Sequence, residues 1–103
     1  MATDAQTASG IISKFAAADV SARKMFGEYG LYKEGKMFAC ICDGILYIKP
    51  TQSALSMLCK APLAPPYPGA KPMVVVQELS NEKLLCALAA AVASELPQPK
   101  RRK

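Results

Sequence analysis

The sequence predicts a two-layer α+β domain, in which helices pack on one antiparallel sheet in the order α-β-β-β-α-β(-β)-α. Apolar residues follow a helical spacing near both ends of the chain, and the segment between them has the pattern of strands. Within that segment, Asp43-Gly44 is a dipeptide that two-residue hairpin turns favour. A chain of 103 residues suffices for one such domain and not for two. We place the domain at residues 1–96 and expect residues 97–103 to form a disordered basic tail.

The first helix is predicted to start near Thr7 or Ser9, either of which is a candidate N-cap. Ile11, Phe15 and Ala18 follow at spacings of four and three residues, so they share one face of that helix. We expect this face to pack against the sheet.

Three strands are predicted to follow, over residues 25–32, 36–42 and 45–49. Gly27 and Gly30 indicate an irregularity such as a bulge in the first strand. The second strand is apolar on both sides, which is typical of a strand with both faces covered. We therefore expect helices on one face and another cover, such as a partner subunit, on the other.

The turn at Asp43-Gly44 determines the register of the second hairpin, because a turn of two residues lets the pairs be counted outward. Gly35 is predicted to take a left-handed conformation in the preceding turn. The predicted pairs are Cys42 with Ile45, Cys40 with Tyr47 and Phe38 with Lys49.

The C-terminal half is predicted to contain two helices around a proline-rich loop and a strand. Thr51 is expected to cap a helix over residues 52–59, and Ser80 to cap the last helix. Residues 61–72 hold five prolines and leave room only for a short edge strand. Residues 73–79 form the remaining predicted strand.

Positive charge is concentrated at the C-terminus. Of thirteen lysine and arginine residues, four are Lys100, Arg101, Arg102 and Lys103, and the other nine are nearly balanced by eight acidic residues. The predicted domain is therefore almost neutral, although the formal net charge of the chain is +5. No folded nucleic-acid-binding surface is expected from that balance.

No segment of the sequence indicates export or membrane insertion. The N-terminus lacks the charged start and the apolar core of a signal peptide, and no apolar run approaches the roughly 20 residues that cross a bilayer. Four cysteines do not make the dense disulfide framework of a small secreted domain. We expect a cytoplasmic protein with no membrane partner.

The residue types that catalysis or cofactor binding require are missing or dispersed. The chain has no histidine, which is the usual acid–base group near neutral pH. Its carboxylates are scattered, and Glu28, the one within an apolar strand, is interpreted as an outward-facing residue. Gly27 and Gly30 do not open a helix, so they are not a phosphate-binding loop. We expect a protein that is not an enzyme, with no catalytic residues and no cofactor.

The cysteines could be proposed as a metal site, but we interpret them as small buried hydrophobic residues. Cys40 and Cys42 lie two apart on a strand, with side chains on one face roughly 7 Å apart. Two thiolates make half of a zinc site, and Cys59 and Cys86 would have to converge from two helices to complete it. No metal site is therefore predicted.

A motif of glycine, aromatic and apolar residues lies between positions 22 and 50. Its members are Arg23, Met25, Phe26, Gly27, Gly30, Leu31, Tyr32, Gly35, Phe38, Ala39, Leu46, Tyr47 and Lys49. This motif resembles the N-terminal domain of the TfoX (Sxy) family of bacterial competence regulators, with Glu28 in place of the family's second glycine. The resemblance implies an α-β-β-β-α-β-β-α fold and a non-enzymatic role in transcription through protein partners. Full-length members carry a second, helical domain, so the resemblance is to a stand-alone single domain.

The leading hypothesis is therefore a regulatory protein-interaction domain. Its candidate interface is Met25, Phe26, Tyr29 and Tyr32, and its candidate partners are the transcription machinery, another protein or a second copy in a homodimer.

Two alternatives remain open. In the first, Lys100, Arg101, Arg102 and Lys103 contact phosphates, so that the tail binds nucleic acid weakly and without sequence preference. The second is a small-ligand domain, which requires a concave pocket with convergent polar groups.

Overall fold

The structure, a computed structural model, describes residues 5–25, 28–58, 61–66, 68–76 and 79–96. Within these ranges a six-stranded antiparallel sheet packs against three α-helices and one 3₁₀ helix. The helices are α1 (Ala5–Ser13), the 3₁₀ helix (Ala16–Ala18), α2 (Gln52–Met57) and α3 (Glu82–Glu95). The strands are β1 (Ser21–Met25), β2 (Glu28–Lys33), β3 (Lys36–Cys42), β4 (Ile45–Ile48), β5 (Leu63–Ala64) and β6 (Met73–Val76). The predicted α+β class and the alternation of helices and strands are confirmed.

The prediction of a single strand over residues 25–32 is wrong, because two antiparallel strands occupy this region. β1 pairs with β2 from Ser21 opposite Tyr32 to Met25 opposite Glu28. Residues 26–27, which connect the two strands, lie outside the described residues. β1 is at the edge of the sheet, in the order β1-β2-β3-β4-β6-β5, and its described side chains are exposed. An exposed edge strand needs no apolar alternation, which is why its sequence does not read as a strand.

The turns of the two central hairpins are as predicted. Asp43 and Gly44 have φ values of 54° and 76°, and Glu34 and Gly35 have 55° and 79°. Positive φ at both positions is the requirement of the two-residue type I′ turn. The predicted register of the β3–β4 hairpin is confirmed, with Cys42 opposite Ile45, Cys40 opposite Tyr47, and the Lys49 amide donating to the Phe38 carbonyl at 3.0 Å.

A bulge in β3 redirects its first residues. Leu31 pairs with Ala39, but the next residue of β2, Tyr32, pairs with Met37, so Phe38 is the extra residue. Phe38 and Ala39 are both fully buried in the main core. The bulge turns Phe38 toward the helices. Of the two glycines at which an irregularity was predicted, Gly30 pairs regularly with Arg23 and Cys40, and Gly27 lies outside the described residues.

The caps of α2 and α3 were predicted with mixed success. Thr51 caps α2 as expected, since its hydroxyl accepts a hydrogen bond from the Ala54 amide at 3.3 Å. For α3 the expected cap, Ser80, is wrong, because the Asn81 side chain accepts from the Leu84 amide at 3.1 Å. Ser and Asn are both common N-caps, so the sequence alone does not decide whether α3 begins after Ser80 or after Asn81.

The start of α1 also differs from the prediction. The helix begins two residues before Thr7, so that Thr7 and Ser9 lie inside it with exposed side chains rather than at its cap. The predicted apolar face is correct, since Ile11, Phe15 and Ala18 are buried. Two of these residues lie beyond α1: Phe15 directly precedes the 3₁₀ helix, and Ala18 is its last residue.

The main core lies between the sheet and the helical layer. α3 packs across β2 and β3, and α2 packs against α3. The Phe15 and Phe38 rings meet edge to face, with their centroids 5.7 Å apart. The largest fully buried side chains are Phe15, Phe38, Leu31, Ile41, Leu46, Ile48, Leu85, Leu88, Val74 and Val92.

The proline-rich segment contributes the short edge strand β5, as the sequence allowed. Leu63 pairs with Val74 and Ala64 with Met73. Among the residues that the structure describes, no helix has both the length and the apolar character to cross a membrane.

Candidate functional site

The sheet face that points away from the helices carries a second cluster of buried side chains, and we call it the distal face. The cluster consists of Cys40, Cys42, Tyr47 and Met73, with Ala64 and Val75 packed against it. None of the four central residues is more than 9% exposed. The expectation that both sides of β3 are shielded is therefore correct, and side chains of this chain supply the cover.

A pocket of about 290 Å³ opens on the distal face, between the sheet and the proline-rich segment. Met37, Cys40 and Met73 line it from the strands, and Pro66 and Pro72 line it from the segment. The ammonium-bearing residues of the lining are Lys49 and Lys71. The rest of the lining is apolar, so few polar groups converge here of the kind that orient a small polar ligand.

A second part of the distal face lies at the β1 edge. The Arg23 guanidinium lies over the ring of Tyr32, 5.7 Å from the ring centroid, which is within the range of a cation–π contact. The two residues also line a shallow hollow of about 380 Å³. This edge therefore presents an aromatic ring together with a cation.

Of the four residues of the predicted interface, the structure places the two tyrosines on opposite faces of the sheet. Tyr29 is half-buried against the main core, on the helical side of β2. Tyr32, three positions later, is on the distal face, because alternate strand residues point to opposite sides. Met25 ends β1, and its side chain is not among those described; Phe26 and residues 100–103 lie outside the described residues.

The two thiols of β3 are neutral groups near physiological pH. Burial, reinforced by the neighbouring Cys42 and by Glu28, raises the pKa of Cys40 to about 12. Burial also raises the pKa of Cys42. A nucleophilic cysteine needs a lowered pKa, so neither residue is an activated thiolate.

Glu28 is on the distal face but is held by the backbone. Its Oε1 accepts a hydrogen bond from the Asp43 amide at 3.1 Å, and the side chain is half-buried. The carboxylate of Glu95 accepts hydrogen bonds from the Ser53 amide and hydroxyl. Both carboxylates are thus engaged with turns and helix ends instead of forming an acid–base pair.

The three cysteines that the structure describes do not assemble into one site. Cys86 is on α3, where its thiol donates to the Lys14 carbonyl at 3.6 Å, whereas Cys40 and Cys42 lie on the other side of the sheet. Cys59 lies outside the described residues. In the described part of the chain, no three or more Cys, Asp or Glu residues form a group that could hold a metal ion.

Sequence reasoning missed the residues that surround the distal cluster. Met37 and Met73 are 36 positions apart in the chain, and they line one pocket because β3 and β6 lie on either side of β4 in the sheet. Arg23 belongs to the sequence motif, but its contact with Tyr32 depends on the unpredicted strand β1. No local pattern reports such long-range neighbours.

Known proteins resemble this chain over most of its length. An uncharacterised 12.7 kDa protein encoded in the trpE 5′ region of Spirochaeta aurantia is 34% identical over an alignment of 105 residues, which covers all of this chain and 91% of the relative. Residues 13–93 match the TfoX N-terminal domain. The matched range begins at the last residue of α1 and ends two residues before the end of α3. On both the fold and the match, the chain belongs to the TfoX N-terminal domain family.

Proposed function

We propose that this chain is a non-enzymatic, competence-regulator-like domain that modulates transcription by binding another protein through its distal face. The observation that carries the proposal is the character of that face: apolar side chains bordered by cations. Tyr32, Met37 and Val75 are half-buried there, and Ile45 is 38% exposed. Membership in a regulator family supports the regulatory part of the proposal.

The charge of the distal face selects the kind of partner. Arg23, Lys49 and Lys71 border the apolar residues, and the nearby carboxylate of Glu28 is bound to the Asp43 amide. Complementary charge steers and orients association. We therefore infer a partner segment that presents apolar side chains flanked by carboxylates.

A second copy of this chain fits that surface less well. In a twofold dimer the same patch meets itself, so Arg23, Lys49 and Lys71 of each copy would be matched only by the two carboxylates near this face, Glu28 and Asp43. The homodimer expected as an alternative from the sequence is thus the competing outcome, and a different protein is the proposed occupant.

The state of the distal thiols and of two described carboxylates supports the non-enzymatic part of the proposal. The two distal thiols are protonated near neutral pH, and Glu28 and Glu95 are bound to backbone amides. General acid–base and nucleophilic catalysis both need groups with tuned pKa values near a reacting atom.

Two matched double variants test the interface. Arg23→Glu/Lys71→Glu reverses two exposed cations of the distal face, and Lys24→Glu/Lys83→Glu makes the same charge change at exposed positions elsewhere. Proteins captured from an extract of the source organism are identified, and their affinity for the purified variants is measured. We expect the distal variant to bind a captured partner at least tenfold more weakly, with the control variant within twofold of the unmodified chain.

Equal affinities of the two double variants would overturn the proposed interface. Light scattering at about 100 μM protein tests whether a second copy occupies the face instead. If the unmodified chain and the control variant are dimers and the distal variant is a monomer, the distal face is a homodimer interface.

The alternative of tail-assisted nucleic-acid binding has a separate basis, the four adjacent cations Lys100, Arg101, Arg102 and Lys103. Four phosphate contacts predict that log K for duplex DNA falls with log salt at a slope of about −3.6. Deleting residues 100–103 should abolish retention on DNA. Retention that survives the deletion would rule out the tail as the binding element.

A further inference from the structure

The pocket under the proline-rich segment combines an apolar interior with two cations. Met37, Cys40 and Met73 line it from the sheet. Its charged lining residues are Lys49 and Lys71. We propose that this pocket binds a small apolar carboxylate, whose apolar body lies between the two methionines and whose carboxylate group lies at the two lysines.

The depth of the pocket separates its apolar part from its charged part. Cys40 and Met73 are buried, so they form the floor. Lys49 is half-buried and Lys71 is exposed, so the positive charge lies toward the mouth. A ligand with one apolar end and one charged end therefore has a defined orientation, with its apolar end inward.

The charges around the pocket select an anion. None of the described residues that line it carries a carboxylate. Burial raises the pKa of the Cys40 thiol to about 12, although the nearby charge of Lys49 opposes that rise, so the floor is uncharged near neutral pH. Glu28 also acts on Cys40, but it accepts a hydrogen bond from the Asp43 amide and does not line the pocket. A negative group of the ligand would thus meet two complementary charges.

The size of the pocket restricts the ligand to a small molecule. The volume of about 290 Å³ is near the lower end of the range of about 300–1,000 Å³ for ligand pockets. It equals the volume of roughly ten water molecules in the liquid. The flexible thioethers of Met37 and Met73 adapt equally to an alkyl chain and to an aromatic ring. The shared chemistry is therefore one carboxylate on a compact apolar body.

The outer wall of the pocket is attached to the sheet at both of its ends. Where the proline-rich segment begins, the Val75 amide donates a hydrogen bond to the Pro62 carbonyl at 2.9 Å, and β5 pairs with β6. Where the segment ends, the chain continues into β6. Pro66 and Pro72 line the pocket, and their rings fix the backbone φ angle. A wall held in this way lowers the conformational cost of binding.

Methionine methyl groups report on the site directly. The whole chain, labelled with ¹³C at its methionine methyls, is titrated with octanoate and separately with naphthoate while the NMR signals are followed. We expect saturable shifts of the Met37 and Met73 signals with at least one carboxylate, and no shift at Met57, which lies on α2. The carboxylate that binds more tightly identifies the ligand body as an alkyl chain or an aromatic ring.

Matched variants test the two lysines. Lys49→Gln/Lys71→Gln should weaken carboxylate binding at least tenfold, because it removes both charges of the lining. Lys24→Gln/Lys83→Gln removes two exposed lysines elsewhere, and its affinity should stay within twofold of that of the unmodified chain. The alcohol with the same apolar body, which lacks the negative charge, should bind at least tenfold more weakly than the carboxylate.

Three results would overturn the site: no shift of the two methyl signals with either carboxylate, equal affinities of the two lysine variants, or an alcohol that binds as tightly as its carboxylate. The shifts are measured on the unmodified chain, so they do not depend on how the variants fold. Failure of this site leaves the proposed protein partner in place, because the capture of that partner is measured without an added ligand.

Discussion

Lys36 illustrates how one buried charge is accommodated in a small core. It is 8% exposed, and its ammonium donates a hydrogen bond to the Ala93 carbonyl at 3.0 Å, near the C-terminal end of α3. Cations are favourable at that end of a helix because of the macrodipole. The bulge at Phe38 is what places Lys36 on the helical side, so the contact joins the first residue of β3 to the last helix.

Replacement of Lys36 by methionine should destabilise the fold. Methionine keeps the apolar stem but loses the charged donor, and a hydrogen bond to a charged group contributes about 1.5–3 kcal/mol. Removing the cost of burying the charge offsets part of this, so we expect a loss of about 1–2 kcal/mol in urea unfolding. Lys24→Met, at an exposed position of β1, should change stability by less than about 0.5 kcal/mol. A Lys36→Met variant that is more stable would mean that desolvation outweighs the bond.

Cys40 should make the stability of the fold depend on alkaline pH. Its pKa is raised on burial from 9.0 to about 12. Below pH 9.0 the thiol is protonated in both states and adds no pH dependence. Above that pH the unfolded chain releases the proton while the folded chain retains it, so the free energy of unfolding falls by up to about 1.4 kcal/mol per pH unit. The fall from this group ends near the folded pKa of about 12.

The measurement compares urea unfolding of the unmodified chain and Cys40→Ala between pH 8 and pH 11. We expect the variant to lose stability less steeply with rising pH, whatever its absolute stability. Parallel curves would show that the Cys40 proton is not held more tightly in the fold.

At the scale of elements, the β3–β4 hairpin depends on backbone conformations that only a few residues adopt easily. Gly44 has a φ of 76°, and a Cβ built there would approach the Thr7 methyl group no closer than 3.9 Å. A side chain at position 44 would therefore meet no steric clash, and its effect on stability would come from the positive φ that it has to adopt. Gly10, inside α1, has no neighbour within 4 Å of a built Cβ.

Alanine substitutions at the two glycines should have opposite effects. Gly44→Ala forces a left-handed conformation on an L-residue, so it should lower the free energy of unfolding by about 1–2 kcal/mol. Gly10→Ala reduces the backbone entropy that is lost when α1 folds, so it should raise the free energy of unfolding by about 0.5–1 kcal/mol. Thermal unfolding of both variants checks the pair. A neutral Gly44→Ala would argue against the type I′ turn.

The same elements explain what could be predicted from the sequence. Asp43-Gly44 and Thr51 act through local backbone chemistry, so the hairpin register and the start of α2 were predictable. Strand β1 escaped prediction because an edge strand carries no apolar pattern. The bulge at Phe38 and the pocket that Met37 and Met73 both line arise from packing between distant segments, which no local spacing encodes.

At the scale of the whole molecule, the two faces of the sheet carry different sets of buried side chains. The radius of gyration of 12.7 Å is close to the value of about 13 Å expected for a compact domain of this length. The helical face holds the large aliphatic and aromatic core. The distal face holds the smaller buried cluster of Cys40, Cys42, Tyr47 and Met73, with Arg23, Lys49 and Lys71 at its border.

Removal of residues 97–103 should leave the stability of the domain unchanged. Among the described residues, the last hydrogen bond at the C-terminal end of α3 is donated by the Leu96 amide to the Ala93 carbonyl at 3.2 Å. Val92 and Ala93 are the final buried residues of the helix. We expect the free energy of unfolding, measured in urea, to change by less than about 0.5 kcal/mol.

A longer truncation is the control for that experiment. A chain ending at Val92 also loses Ala93, which packs in the core and accepts the Lys36 hydrogen bond, so it should lose more than about 2 kcal/mol. If removal of residues 97–103 alone costs more than about 1 kcal/mol, the tail is part of the folded unit. Its four cations would then be fixed on the domain surface, and the salt dependence of DNA binding would report on a folded site instead of a free arm.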